Sequence, residues 1–270
     1  MTEIEYRKMD GISRSELWLL RESPEKFRWY QDHPEPKTPA LIFGAAVHKL
    51  LLEPDTFRDE FAVAPKCDRR TKNGREAYNA FLGASVGKSV ITLDEYEKAQ
   101  DMANKAIKAP PVKKLLAGEH EKPFFWVDDL TVEKCKCRVD CITNIDGQPT
   151  IIDYKTAKSA ATHSFNRSIY NYGYHVQAAM YSDGVMAAME LTERPDFKFI
   201  VQEKYPPYAV NIVTVPPEVM LAGLDKFREL IGIYHQCRET GYWYGYTGPF
   251  DEPNEAYLLE WVKSEADLDE

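Results

Sequence analysis

The sequence predicts an α/β fold in which a mixed central sheet is flanked by helices and preceded by a mainly helical portion. Three observations carry this. Helical periodicity and capping signals dominate the first 118 residues. The pattern then switches to alternation, with an Asp146-Gly147 hairpin signal between two strand-like runs. After the hairpin, periodicities of both kinds interleave, giving the order β-β-β-α-α-β-β-α.

The elements follow in order. Ser13 and Glu16 have capping-box spacing, and Leu17, Leu20, Phe27 and Tyr30 recur at helical intervals, so one helix is expected over residues 13–31. Three prolines mark a loop at 33–39, and Pro39 opens a helix to about residue 53 with an apolar stripe of Leu41, Ala45, Leu51 and Leu52. A polar loop at 65–74 precedes a helix to about 82. Thr92 and Glu95 form a second capping box, opening a helix to about 108, and another is expected at 110–116. Residues 123–128 are aromatic and extended, 130–144 alternate, and 149–156 return after the hairpin. Helices at 158–169 and 172–190, strands at 197–204 and 209–215 split by Pro206-Pro207, and a long amphipathic helix at 217–239 complete the pattern. The whole is expected to be one domain: a helical part over 1–118, the α/β core over 119–240, and a tail over 241–270. That tail is aromatic and ends in an acidic stretch expected to fray.

Composition narrows the function classes. With 270 residues, 44% hydrophobic and 29% charged, the chain reads as a soluble globular protein. No apolar run approaches the roughly 20 residues of a membrane span, and the polar, acidic first ten residues do not resemble a signal peptide. A cytoplasmic location with no membrane partner is expected. Five cysteines, an odd number without a CxxC pair, argue against a disulfide framework and a standard zinc site. The net charge of −9 taken alone disfavours nucleic-acid binding, but an acidic protein can bind DNA where its positive charge gathers in one groove.

The chemistry concentrates at the hairpin. Alternation puts Lys136, Arg138 and Asp140 on one face of the first strand, with Cys135, Cys137, Val139 and Cys141 on the other. On the return strand Ile151, Asp153 and Lys155 share a face. A simple register sets Asp140 beside Asp153, next to Lys155. Two adjacent carboxylates repel unless a cation lies between them, and oxygen ligands favour Mg²⁺ or Mn²⁺. The Tyr154 backbone carbonyl, between the two side chains, is a further candidate ligand. A D-x-K triplet alone is common and is more often a surface ion pair. Gly44 and His48 lie one turn apart on a helix, and close approach of that helix to the sheet would bring His48 to the metal. Gln177 and Tyr181, four apart, share a helix face and are placed to hold Lys155 or to meet phosphate.

In order and spacing, Gly44 and His48, Val139-Asp140, Asp153 to Thr156, and Gln177 with Tyr181 resemble the nuclease motifs of the RecB family. The opening over Ile12 to Leu17 and Ser23 to Phe27 is also similar to that group. The stretches Phe43 to Pro54, Val63-Ala64-Pro65, Arg69-Arg70-Thr71 and Tyr174 to Gly184 resemble the exonuclease VIII (RecE C-terminal) family of phages and prophages. The resemblance runs from about Gly11 to Trp261. It implies a restriction-endonuclease-like PD-(D/E)XK core and a Mg²⁺-dependent 5′→3′ exonuclease on double-stranded DNA ends. Such an enzyme leaves 3′ overhangs, forms a ring-shaped homo-oligomer, and works with a RecT-like single-strand annealing protein in a bacterial host cell. By position it implies His48, Asp140 and Asp153 as metal ligands, Lys155 as the catalytic lysine, and Gln177 and Tyr181 as supports.

The basic residues Lys66, Arg69, Arg70, Lys72 and Arg75 are candidates for contact with the DNA backbone or a 5′-phosphate, since Arg binds phosphate through a bidentate fork. Ser13 and Ser15 are weaker candidates for a terminal phosphate, because Ser13 is accounted for as a helix cap. An iron–sulfur cluster on Cys135, Cys137 and Cys141 is disfavoured by their alternation along a strand and by the lack of an evident fourth ligand. Two other readings share the core: a single-strand or structure-specific nuclease, and a catalytically silent DNA-binding scaffold.

Overall fold

The computed structural model describes residues 3–257; the acidic end expected to fray lies outside the described residues. The first part runs α1 (Glu3–Lys8), β1 (Ile12–Ser13), α2 (Arg14–Leu19), α3 (Pro24–Asp32), α4 (Pro39–Leu52), α5 (Phe57–Glu60), β2 (Phe61–Val63), α6 (Lys72–Ala84), β3 (Ser89–Ile91), α7 (Leu93–Lys108) and α8 (Pro110–Leu115). Then follow β4 (Glu119–Val127), β5 (Lys134–Ile145), β6 (Gln148–Ala157), α9 (Thr162–Asn171), α10 (Tyr174–Ala188), β7 (Asp196–Glu203), β8 (Val210–Thr214) and α11 (Pro217–Thr240).

Local chemistry sets the boundaries. Both capping boxes form, at Ser13 with Glu16 and at Thr92 with Glu95. The single helix expected over 13–31 is two helices. Ser23 precedes a proline, takes an extended conformation, and caps α3 with Pro24 in its first turn. The apolar periodicity continues across this break because both helices pack on the same core, where Leu17, Leu20 and Phe27 are buried. At the hairpin, Asp146 (φ 53°) and Gly147 (φ 93°) take the left-handed conformations that a two-residue turn requires. The short strands β2 and β3 pair in parallel as a separate small sheet; at three residues each they are too brief to alternate legibly.

The main sheet has six strands in the order β1-β5-β6-β7-β8, with β4 paired to the other edge of β5. On one face α10 and α11 cover Cys137, Val139, Ile151, Phe199 and Val201. On the other, α4, α7 and α8 cover Cys141, Ile152, Tyr154 and Ile200. A mixed sheet with a helical layer on each side is the expected α/β sandwich. No helix among the described residues is long and apolar enough to cross a membrane.

The topology leaves one opening in the sheet. Strand β4 pairs along β5 from Lys134 to Ile142, so β1 and β6 must share the opposite edge. There β1 takes Cys135 and Lys136, and β6 takes Cys141 to Ile145. The stretch 137–140 lies in the fork between them.

Candidate active site

The fork gathers the chemistry. Pairing of β5 with β6 stops at Cys141 opposite Ile152, one step before Asp140 would meet Asp153. Instead of continuing the ladder, the Tyr154 N–H donates to Asp140 Oδ2 at 2.7 Å. The two strands therefore separate with a carboxylate on each.

Alternation along β5 breaks at the same point. Val139 packs into the α10 side of the sheet and Cys141 into the α4 side, so Cys141 does not share a face with Cys135, Cys137 and Val139 as the simple alternation expects. The aspartates are likewise held from opposite layers. His48 on α4 reaches Asp140, Nε2 to Oδ2 at 2.8 Å. Gln177 on α10 donates from Nε2 to Asp153 Oδ1. Lys155 Nζ lies 2.7 Å from Asp153 Oδ2 and 4.8 Å from the centre of the Tyr174 ring. Asp153 is only 1% exposed. Tyr181, one turn beyond Gln177, packs against the core on the α10 side and stands in the field of Asp153 and Arg14.

Two further residues join the site that sequence reasoning missed. Glu121 on β4 accepts contact from His48 Nδ1 at 3.1 Å through Oε1 and from Arg138 Nε at 2.8 Å through Oε2. Its left-handed backbone (φ 49°) interrupts the β4–β5 register at the level of Asp140. Hairpin counting gives the missing signal: His120 faces Cys141 and Lys122 faces Val139, so Glu121 falls level with Asp140. Arg14, at the start of α2, donates to the carbonyls of Gly173 and Tyr172. Its charge faces Tyr181, Tyr174 and Asp153.

Electrostatics inside the cluster are those of crowded acids. Burial, reinforced by Asp140, pushes Asp153 up to about 6 despite Lys155. Burial likewise pushes Glu121 up to about 7, with His48 and Arg138 opposing. Asp140 is also buried, but the charge and hydrogen bond of His48 hold it below the ordinary carboxylate range. Burial works against a charged His48, yet Asp140, Glu121 and Asp153 outweigh it and raise the imidazole to about 9. Burial also opposes a charged Lys155, and Asp153 and Asp140 more than offset it.

These residues fit a divalent metal. His48, Glu121 and Asp140 offer ligand atoms that all lie within 4.8 Å of one another, the only such group among the described residues. Carboxylates pressed together until two of them resist ionisation form a site that gains from a cation. One imidazole and several carboxylate oxygens make a donor set for a divalent cation. The cysteines do not form a cluster: Cys135, Cys137 and Cys141 enter three different cores.

The basic residues stand apart from this network, and only Lys66, Arg69 and Arg70 lie in a loop. Thr71 caps α6, so the loop expected over 65–74 ends early and Lys72 and Arg75 sit on the first turn of the helix. Arg70 pairs with Asp68 at 3.2 Å, Lys66 lies 3.9 Å from Asp94, and Lys72 lies 3.9 Å from Glu76. Arg69 stacks over Tyr78, and Arg75 donates to the Arg70 carbonyl at 3.2 Å. None of these contacts reaches the cluster. Ser13 acts as the helix cap and also contacts Ser15 at 3.1 Å.

Comparisons with known proteins agree with this architecture. The structure is similar to that of a candidate exonuclease from Eubacterium rectale, with a TM-score of 0.66 at 14% identity over 98% of both chains, a likeness of fold. A second solved structure, named SSO0001, has a TM-score of 0.40 at 13% identity, covering 84% of this chain and 77% of its own, and carries no argument. No curated protein matches the chain. Residues 13–252 match the family described as PDDEXK-like domain of unknown function (DUF3799). That span takes in the fork, all of its carboxylates and Lys155, and the chain therefore belongs to this PDDEXK-like family.

Proposed function

We propose that the chain is a metal-dependent DNA exonuclease that hydrolyses phosphodiesters and leaves 5′-phosphates. The observation that carries this is the fork itself, where Asp140, Asp153 and Lys155 converge in a PDDEXK-like fold with His48 and Gln177 holding the two aspartates from opposite layers. His48, Asp140 and Asp153 would hold Mg²⁺, or Mn²⁺ in its place, with Glu121 beside them and the Tyr154 carbonyl as a further ligand. Such a metal lowers the pKa of water and stabilises negative charge on a phosphodiester.

The chain's own residues do the positioning. Gln177 fixes Asp153 by donating to one oxygen and leaving the other toward Lys155. Lys155 stays a cation because its neighbours are carboxylates, so it can orient the attacking water and offset charge that develops on the phosphate. Tyr174 beneath its ammonium holds the lysine in place. Tyr181 supports the helix face that carries Gln177.

The finer reading follows the resemblance of the chain's motifs to those of the exonuclease VIII (RecE C-terminal) group of RecB-like nucleases. It is a 5′→3′ exonuclease on double-stranded DNA ends that leaves 3′ overhangs for strand annealing. It would act as a ring-shaped homo-oligomer with a RecT-like annealing protein, in the cytoplasm of a bacterial host. Lys66, Arg69, Arg70, Lys72 and Arg75 would meet the DNA backbone.

Digestion of a linear duplex labelled at either end tests the reading, with Mg²⁺ and then with EDTA. Metal-dependent release of the 5′ label, with the 3′ label retained on long strands, is expected. Cleavage of single strands alone would replace it with the single-strand nuclease reading. Absence of any cleavage with Mg²⁺ or Mn²⁺ would leave a DNA-binding scaffold.

A further inference from the structure

Beside the carboxylate cluster lies a cavity of about 580 Å³, one of whose walls is Lys155. Its wall continues from Lys155 to Lys158, at the end of β6, and to Lys204, just after β7. Tyr172 and Tyr174, their ring centres 5.7 Å apart, and Ser168 of α9 also line it. No carboxylate lines this cavity, although acidic residues outnumber basic ones by 43 to 34 in the chain. Neither Lys158 nor Lys204 makes an ion pair among the described residues, while Lys155 pairs with Asp153 behind the cavity wall.

The arrangement is costly without a ligand. Burial depresses the Lys204 ammonium, and the charge of Lys98 adds to this. Lys98 does not line the cavity, and a half-buried ammonium with no carboxylate beside it is stabilised when an anion enters. Tyr172 leaves 59% of its surface in solvent at the mouth, an aromatic face without a complete cover. Lysines around a cavity select phosphate, and an exposed aromatic ring selects a flat base. The volume lies within the range of small-ligand sites.

We infer that this cavity is a mononucleotide subsite that receives the nucleotide flanking the scissile phosphate, with its phosphate on Lys158 and Lys204 and its base against Tyr172. The inference rests on the nuclease reading for its role, because Lys155 is the wall that the cavity shares with the catalytic cluster. The binding itself does not require cleavage. Once the bond is cut, the same contacts would hold the released mononucleotide, so the nucleotide should act as a product inhibitor.

Calorimetric titration of the whole chain in EDTA tests this, with deoxyadenosine 5′-monophosphate, deoxyadenosine and inorganic phosphate as separate probes. The monophosphate should bind one to one and more tightly than either other probe. The double variant Lys158→Gln/Lys204→Gln should weaken it at least tenfold. Tyr172→Ala should weaken it about fivefold or more while leaving phosphate binding unchanged. Circular dichroism and the thermal midpoint of each variant must match the parent for these comparisons to count. Loss of lysine dependence, or inorganic phosphate binding as tightly as the nucleotide, would overturn the subsite, as would no binding of the nucleotide at all. Digestion of duplex DNA with Mg²⁺ separates the two claims. DNA cleavage with no lysine-dependent nucleotide binding sinks the subsite alone. Lysine-dependent binding in a chain that cuts no DNA keeps the subsite and sinks the nuclease reading.

Discussion

The fork between β5 and β6 and the basic loop before α6 are both dense in charge, yet they are built in opposite ways. The fork draws His48, Glu121, Asp140, Asp153 and Gln177 from five elements and holds them by contacts that cross long stretches of chain. In the loop, Arg70 pairs with Asp68 two residues away, and on the first turn of α6 Lys72 pairs with Glu76 four away, with both lysine and arginine more than four-fifths exposed. Buried charges interact strongly because solvent screens them little, whereas exposed pairs are worth about 1 kcal/mol or less. The fork is therefore fixed before any substrate arrives, and the loop is free to exchange its weak internal partners for phosphate. Catalysis calls for the first kind of construction and backbone tracking for the second.

The sharpest way to break this contrast is at Lys155. Lys155→Ala should lower the rate of DNA cleavage by about 10²- to 10⁴-fold with DNA binding retained, as measured in single-turnover digestion. Cleavage at the parent rate would remove Lys155 from the chemistry. Because Asp153 is buried beneath Gln177, and not at an open surface, the isosteric Asp153→Asn is the informative partner variant. It should lose cleavage to a similar extent.

Glu121→Gln keeps the shape of the side chain and removes one charge. If Glu121 belongs to the cation site, Mg²⁺ affinity should fall by about ten- to a hundredfold in calorimetry. An unchanged affinity would confine Glu121 to orienting His48.

Metal binding should also depend on pH, and the sign follows from His48. In the metal-free protein its pKa is raised to about 9, so the ring carries a proton at neutral pH. Both nitrogens face carboxylates, so a metal must displace that proton to use either one. Apparent Mg²⁺ affinity should therefore rise with pH toward about 9, with protons released into a weakly buffered solution. Equal affinity at pH 6.5 and 8.5 would exclude His48 as a ligand.

The smallest effect belongs to the loop. Arg69→Ala should weaken binding to DNA ends a few-fold and reduce the slope of log affinity against log salt by about 1. The cleavage rate at saturating DNA should hold. A drop in that rate with unaltered binding would contradict the division of labour between loop and fork.

What was legible in the sequence follows the same division between local and distant causes. The caps at Ser13 and Thr92 and the opening proline at Pro39 are written in a few neighbouring residues, and the helices start there. The Asp146-Gly147 turn sets the hairpin, and with it the approach of Asp140 to Asp153. Glu121 was missed because it precedes the 123–128 stretch read as extended, and its left-handed backbone interrupts the alternation that would have lengthened that strand. Counting back from Asp140 needs the β4–β5 register, which the fold supplies. Cys141 was assigned to the wrong face because the break at Asp140 reverses the sense of alternation. The split at Ser23-Pro24 was hidden by apolar spacing that continues across it. Gly44 shows a weaker case: its helix does approach the sheet, but an added Cβ would meet Thr156 Oγ1 at an ordinary 3.5 Å.

The two-residue strand β1 has a consequence for handling the protein. It pairs with the edge of β5 at Cys135 and Lys136. A deletion that removes Ser13 would leave that edge with unpaired backbone donors and acceptors beside the hydrophobic core of Leu17 and Phe27. Open edges recruit strands from other molecules. Trimming the N-terminus to obtain a minimal catalytic fragment would thus produce a protein that aggregates, and its inactivity would say nothing about the residues of the fork.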